Sequence, residues 1–262
     1  MIAPLKEELR LFFTALQFFT RVPVPMWVGW SPDQLNRSAR HFPTVGWLVG
    51  GVSAGVLLAA MQAWPAAVAV LLAMAAGVML TGAFHEDGFA DSCDGFGGGY
   101  TPERVMAIMK DSRVGSYATV GVVLMLALKF QLLLALAPQG AVVLLGVIIA
   151  SHTLSRWAAL CVMATLPYLR DDDSSKSKPI AQGIARGPML AATLVAAVPV
   201  WWVGGQLWWA PPAVLATAWL AGRFFKRRIG GYVGDALGAT QQSAEVVVLL
   251  VAVAEFKGPS WI

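Results

Sequence analysis

Charged side chains are scarce in this chain of 262 residues, of which they form only 13%, whereas a soluble domain usually carries about 25%. Hydrophobic residues make up 57%, and the mean hydropathy is +0.65. Four stretches contain no charged residue, at 42–84, 114–128, 130–155 and 187–222. A helix needs roughly 20 apolar residues to cross a bilayer, so these stretches exclude an ordinary soluble protein. We predict an all-α, polytopic integral membrane protein with a single domain over 1–262.

Cysteine is also rare, and the number and spacing of the cysteines exclude a cysteine-based metal centre. Only Cys93 and Cys161 are present, and their spacing fits no metal knuckle. The net charge of +4 could favour nucleic acid, but the basic residues fall in short loops between apolar stretches. That bias is typical of the cytoplasmic loops of membrane proteins. We therefore expect a lipid bilayer, and no nucleic acid, as a partner.

The apolar stretches divide into candidate spans. These are predicted at 44–63, 66–84, 116–137, 141–166, 188–207, 211–225 and 243–256. An additional helix over 5–19 stops before Pro23 and Pro25; it is short for a span and is predicted to lie in the membrane interface. Because the last segment is also short, we expect six to seven transmembrane helices.

Charge divides the predicted loops into two groups. The turns at 62–65, 138–140 and 208–212 carry no charge, whereas all the charged loops would emerge on the opposite face. Those charged loops are 21–40, 85–113, 170–186 and 223–235. Because Lys and Arg mark the cytoplasmic side, we expect a multi-pass protein of the bacterial cell inner membrane whose active site faces the cytoplasm.

A cluster of acids follows the first long apolar stretch. Asp87, Asp91 and Asp94 stand at i, i+4 and i+7, so on a helix their carboxylates would share one face, here called the acidic face. Such a cluster at the end of an apolar segment costs free energy unless a cation neutralises it. Carboxylates followed by the glycines 97–99 suit Mg²⁺ holding a phosphorylated substrate.

Basic and glycine-rich segments supply further candidates. Lys110 and Arg113 could contact phosphate oxygens, or could simply balance the acids in a cytoplasmic loop. Asp235 lies among the glycines of 230–238, a setting that suits close approach to a phosphate or a metal-bound ligand. Glu245 could join Asp235 or cap the last helix. The basic run 226–228 could equally contact anionic lipid.

Two cations lie inside predicted spans. Lys129 could face a cavity or snorkel to the headgroups, and Arg156, one turn after His152, looks like part of a polar substrate cavity. Intramembrane charges also suggest a transporter. A carrier would need no glycine-rich phosphate motif, however, and release of a nucleotide product by the purified protein would exclude it. The aspartates 171–173 are predicted to lie in a solvated loop.

Several motifs together resemble the cobalamin synthase family, the adenosylcobinamide-GDP ribazoletransferases, over nearly the whole chain. They are Phe18 to Pro25, Phe42 to Gly46, His85 to Gly95, Ile108 to Gly115 and Gly230 to Ala239, followed by Glu245. The start of the acidic motif, Asp87 to Ala90, also resembles a CDP-alcohol phosphatidyltransferase. In that family Arg follows the alanine, whereas here Asp91 does. Because of this difference, a phosphatidyltransferase is the alternative function and not the preferred one.

The resemblance implies a Mg²⁺-dependent membrane enzyme that joins adenosylcobinamide-GDP to α-ribazole, or to its 5′-phosphate, with release of GMP. It implies that Asp87, Asp91 and Asp94 hold the metal and the diphosphate. The catalytic set would comprise Asp91, Asp94, Lys110 and Arg113, with Asp94 as the proton acceptor. The substrate-binding set would comprise His85, Ser112, Arg156, Gly234, Asp235 and Glu245. A homo-oligomer is possible.

This chain departs from the family pattern in three places. Glu86 adds an acid where an apolar residue is usual, Gln242 replaces an acid, and residues 170–180 are unusually rich in aspartate and lysine. These departures leave the implied reaction unchanged and concern the outer edge of the substrate site.

Overall fold

The computed structural model of the protein describes residues 2–169 and 184–254. Within these ranges the fold is helical and has no strand, apart from one isolated bridge between Tyr168 and Tyr232. The helices are α1 Ile2–Phe19, α2 Pro32–Ser38, α3 Phe42–Ala60, α4 Ala66–Thr81, α5 Phe84–Gly98, α6 Pro102–Met109, α7 Ser116–Leu136, α8 Ala141–Thr165, α9 Arg186–Val203, α10 Ala210–Ile229 and α11 Gly234–Val253. Short 3₁₀ turns occupy Met26–Val28, Ala39–His41, Ala137–Gln139 and Gly205–Trp209.

In the described ranges, five helical segments are long and apolar enough to cross a membrane. They are Pro32–Ala60, Ser116–Gln139, Ala141–Thr165, Arg186–Val203 and Gly234–Val253, and a sixth arises if the bent pair α4–α5 forms one broken span. This confirms the all-α, multi-pass class. The predicted span at 211–225 corresponds to α10, which is long enough to cross a membrane but is not apolar enough to count among these segments. It ends on four basic residues, Arg223 and 226–228.

The last helix begins earlier than its apolar content suggested. Helix α11 starts at Gly234 rather than at 243 and reaches 20 residues. Its first half is polar, but Thr240, Gln241 and Gln242 are buried inside the bundle. The predicted interfacial helix is α1, which is not among the candidate spans. The predicted acidic loop at 171–173 lies outside the described residues.

A sharp bend separates the apolar helix α4 from the acidic helix α5. The two axes meet at 89°, and the backbone turns through left-handed conformations at Gly82 (φ 66°) and Ala83 (φ 58°). The Arg21 N–H donates to the Leu80 carbonyl at 2.8 Å, and the Arg21 side chain lies where a Cβ of residue 82 would be. Glycine is therefore required at 82 for both conformation and space. As a result, α5 does not continue the direction of α4.

Close backbone contact joins α3 to α8 in the bundle core. A Cβ at Gly46 would lie 2.5 Å from the His152 carbonyl oxygen, and one at Gly50 would lie 2.8 Å from the Ile149 Cα. Glycines four residues apart allow such packing between membrane helices, where dispersion forces drive association. The outward side of α7 carries exposed apolar residues, including Val123 and Leu124, as a lipid-facing surface would.

The ends of helices that adjoin the charged loops are in contact with one another. Tyr232 exchanges backbone hydrogen bonds of 3.0 Å with Pro167 and Leu169, which links the end of α8 to the segment between α10 and α11. Arg228, near the end of α10, bonds to the end of α5. At the opposite end of the bundle, Gly146 of α8 packs against Val203 of α9. The contacts of Tyr232 and Arg228 agree with the prediction that the charged loops share one face.

Candidate active site

Helix α5 presents the predicted acidic face at the edge of its buried side. His85, Gly88, Ser92 and Gly95 point into the protein, whereas Asp87 is exposed and Asp91 and Asp94 are half-buried. The helical spacing predicted from the sequence is therefore confirmed for this segment. The three carboxylates do not have the same surroundings, however.

Two glycines bring the acidic helix against the start of α11. A Cβ at Gly88 would lie 3.1 Å from both the Cα and the carbonyl oxygen of Asp235, and one at Gly238 would lie 3.1 Å from the Gly88 Cα. We call this contact of Gly88 with Gly238 the glycine crossing. Because Gly88 stands between Asp87 and Asp91 on α5, the crossing places Asp235 beside the acidic face. Two motifs more than 140 positions apart thus meet.

Asp94 is engaged with the start of α7. Its carboxylate oxygens accept hydrogen bonds from the backbone N–H groups of Gly115, at 2.6 Å, and Ala118, at 2.9 Å. A carboxylate in this place satisfies free donors of the helix start and complements the positive end of its dipole. A Cβ at Gly115 would lie 2.6 Å from the carboxylate, so glycine allows this approach. Asp94 therefore fixes where α7 begins.

The loop before α7 holds the other predicted charged residues. Lys110, Ser112 and Arg113 are exposed there, and the loop ends at Gly115, which is bonded to Asp94. The Arg113 guanidinium donates to Asp111 through both Nε, at 3.0 Å, and Nη2, at 2.5 Å. These hydrogen bonds lower the pKa of the Asp111 carboxyl to about 2, so the pair is ionised at neutral pH. A phosphate would have to compete with Asp111 for Arg113.

Arg228 holds the far end of α5, a role that sequence reasoning missed. Its Nη2 donates to the carbonyl oxygens of Phe96, at 3.0 Å, and Gly99, at 2.6 Å. The guanidinium also lies over the rings of Phe96 and Phe224, 5.6 and 5.5 Å from their centroids. An arginine that caps helix carbonyls is favoured by the helix dipole. In the sequence, Arg228 looked like one member of a lipid-facing basic run.

A buried polar cluster lies inside the bundle, next to the start of α5. Lys129 Nζ is 2.5 Å from Glu245 Oε1 and 3.1 Å from Gln242 Oε1, and Gln242 Nε2 donates to Glu86 at 2.9 Å. His152 Nδ1 is 3.4 Å from the second Glu245 oxygen. Lys129 thus does not snorkel, because its side chain is only 8% exposed and is paired within the protein. Likewise, Glu245 neither caps α11 nor reaches Asp235.

Arg156 and His85 lie on another side of the same interior. Arg156 is 1% exposed, its Nη1 donates to the His152 carbonyl at 2.8 Å, and its guanidinium lies 5.6 Å from the Phe19 ring centroid. His85 stacks on that ring at 5.5 Å. A cavity of about 40 Å³ borders Arg156, His85 and the buried polar cluster, which is room for roughly two or three waters. The structure therefore places His85, Arg156 and Glu245 inside the bundle rather than on the acidic face.

Within residues 2–169 and 184–254, no three His, Cys, Asp or Glu side chains lie close enough together to form a metal site by themselves. A Mg²⁺ site usually needs fewer than three such side chains, because the ion keeps several waters and binds one or two carboxylates together with substrate phosphates. Asp87, Asp91 and Asp235 around the glycine crossing offer carboxylates of that kind. Asp94, already holding two N–H donors, is less suited.

Comparison with known proteins agrees with the motifs. The profile of the cobalamin-5-phosphate synthase family matches residues 11–253. The chain is similar to an adenosylcobinamide-GDP ribazoletransferase of Shewanella frigidimarina, with 47% identity over 95% of each chain. Proteins with the same name from Leptothrix cholodnii and Ralstonia nicotianae are 47% and 46% identical, over 95% and 97% of this chain and 97% and 98% of theirs. No solved structure matches.

Proposed function

The chain belongs to the cobalamin-5-phosphate synthase family, and we propose that it carries out the transfer for which its relatives are named. It joins adenosylcobinamide-GDP to α-ribazole, or to α-ribazole 5′-phosphate, and releases GMP. This makes adenosylcobalamin or its 5′-phosphate and completes the nucleotide loop of vitamin B12. The observation that carries the site assignment is the glycine crossing, which sets Asp235 beside the acidic face.

We propose Mg²⁺ as the cofactor, held by Asp87 and Asp91 together with diphosphate oxygens of the substrate. When bound, the ion would polarise the phosphorus under attack and offset the charge of the diphosphate. Carboxylate oxygens on a polar helix face suit this ion. Asp94 is assigned a different task in this proposal, because its carboxylate fixes the start of α7.

The transfer itself follows from charge and geometry. A ribose hydroxyl of α-ribazole attacks the corrinoid-side phosphorus, the bond from that phosphorus to the oxygen shared with GMP breaks, and GMP leaves with the electron pair. The hydroxyl proton passes to a carboxylate, which we assign to Asp91, three residues after Gly88. Lys110 and Arg113 on the neighbouring loop stabilise the departing phosphate, and Arg113 exchanges Asp111 for it.

The site is proposed to face the cytoplasm from the bacterial inner membrane. Basic residues are concentrated in the loops next to the site, as expected for the cytoplasmic side. The transporter alternative loses its main support, because Lys129 and Glu245 pair with each other inside the bundle. An ion pair of this kind accounts for an intramembrane lysine without any transport.

The direct test is to incubate purified protein with adenosylcobinamide-GDP, α-ribazole and Mg²⁺ and to follow cobalamin and GMP by mass spectrometry. We expect both products in equal amounts, and neither after chelation of the metal. Replacement of α-ribazole by its 5′-phosphate identifies the preferred acceptor. CMP release from a CDP-alcohol, which the phosphatidyltransferase alternative requires, is not expected. Absence of cobalamin when folded protein is supplied with both substrates and Mg²⁺ would contradict the proposal.

A further inference from the structure

An aromatic pocket lies beside the glycine crossing. Four phenylalanines from three parts of the chain line it, together with His85 and Arg156: Phe18 and Phe19 at the end of α1, Phe42 at the start of α3 and Phe84 at the start of α5. The rings pack edge to face, with centroids 5.3 Å apart for Phe18 and Phe84 and 4.6 Å apart for Phe19 and Phe42. The pocket reaches Gly234 and Gly238 of α11, and Gly234 precedes Asp235.

Two buried nitrogen atoms of this pocket lack hydrogen-bond partners among the described residues. They are His85 Nε2 and Arg156 Nε, on side chains that are 4% and 1% exposed. A buried polar atom without a partner costs free energy. A purely structural cluster of aromatic rings would gain nothing from two such atoms. An apolar pocket with a few well-placed polar groups is instead typical of a small-molecule site.

We propose that this pocket binds the flat aromatic base of the nucleoside acceptor, α-ribazole; the inference rests on the proposed function. Phenylalanine rings stack on a base without requiring polar edges. A ribazole base has one ring nitrogen that is not attached to the sugar, and this nitrogen accepts a hydrogen bond from Arg156 Nε. Guanine fits less well, because its several polar edge groups would face only two polar atoms.

The placement of the pocket also fits the reaction. With the base between the rings, the ribose lies toward Gly234 and hence toward Asp235 and the acidic face. The free space between the rings is about 30 Å³, so the base enters as Phe18 and Phe84 turn aside. Both of these rings are half-buried, whereas Phe19 and Phe42 are buried in the core and form the fixed wall.

The test compares the KM values of the two substrates in Phe18→Leu and Phe84→Leu. Leucine keeps an apolar side chain but removes the ring. We expect the KM for α-ribazole to rise about tenfold in each variant, while the KM for adenosylcobinamide-GDP and kcat stay within about twofold. Phe84→Tyr, which keeps the ring, restores the KM for α-ribazole. Phe13→Leu is the matched control, because Phe13 packs on Trp27 outside the pocket.

A KM for α-ribazole that stays within about twofold of the wild type in both leucine variants overturns the inference, as does an equal rise in both KM values. If one variant fails to fold, the other carries the test. Failure of the proposed function is distinguishable, because wild-type protein would then release no GMP. In that case, the equilibrium affinity for α-ribazole is compared between the wild type and Phe18→Leu, which tests the pocket without any catalysis. Equal affinity of the two proteins overturns the inference.

Discussion

At the residue scale, two positions at which the resemblance predicts a departure from the family are in contact. Glu86 is an added acid and Gln242 replaces one, and the two side chains are hydrogen-bonded at 2.9 Å. Gln242 accepts from Lys129 through its other amide atom, so it connects the carboxylate to the ammonium group. The positions are 156 apart in the chain, so the sequence alone could not pair them.

Exchange of the two residues tests this pairing. Gln242→Glu places a second carboxylate against Glu86 in the bundle, and we expect it to lower the free energy of unfolding by about 3 kcal/mol. The double variant Glu86→Gln with Gln242→Glu removes the repulsion between the two carboxylates and should recover at least half of that loss. Unfolding in detergent, followed by circular dichroism, measures both. Losses that simply add in the double variant would contradict the pairing.

At the scale of elements, the glycine crossing positions the site. The α5–α11 contact depends on the absence of a side chain at Gly88 and Gly238, since a Cβ at either would press on backbone atoms, which cannot rotate away. The crossing also explains why Asp235, at the first turn of α11, stands beside residues of α5. Helix packing on glycines is common between membrane helices.

Gly88→Ala is therefore expected to move α5 away from α11 by a few tenths of an ångström and to lower kcat about tenfold or more, because reacting groups must be closely aligned. The matched control is Gly55→Ala on α3, where an added Cβ meets nothing within 4 Å. It should leave kcat unchanged and stabilise the helix slightly. The rate of GMP release is the measurement. Equal rates for both variants would be evidence against the crossing.

Helix periodicity was sufficient to predict some elements, and long-range contacts decided the others. The i, i+4, i+7 spacing of Asp87, Asp91 and Asp94 predicted the helix α5 and its acidic face. The bend at Gly82 and Ala83 was not predictable, because the apolar run continues through it without a proline. The start of α11 was placed too late, because its buried polar residues, such as Gln241, resemble a loop when the cavity they face is unknown.

At the scale of the whole molecule, the distribution of charge predicts the orientation of the protein in the membrane. The helix ends beside the charged loops meet around the site, and the turns without charge lie at the other ends of the same helices. The prediction of two faces follows from the loops alone. It could not reveal how the interior is arranged, where Lys129 and Glu245 form an ion pair and Arg156 borders the aromatic pocket.

Single-cysteine labelling in whole cells tests this orientation. In a background without Cys93 and Cys161, we expect an impermeant maleimide to label Gln139→Cys directly, because residue 139 is exposed in an uncharged turn. Ser112→Cys and Arg227→Cys, both at exposed positions, should be labelled only after the membrane is permeabilised. If residues 112 and 227 were labelled from opposite sides, the two halves of the proposed site could not meet.

The central claim is that Asp87 and Asp91 hold the metal while Asp94 holds the start of α7. The most direct test measures GMP release by Asp87→Cys, Asp91→Cys and Asp94→Cys with Mg²⁺ and then with Cd²⁺, because a thiolate ligand prefers a softer ion. We predict that Asp87→Cys loses activity with Mg²⁺ and regains it with Cd²⁺, and that Cd²⁺ does not restore Asp94→Cys. Full activity of Asp87→Cys with Mg²⁺, or selective rescue of Asp94→Cys by Cd²⁺, would contradict the account.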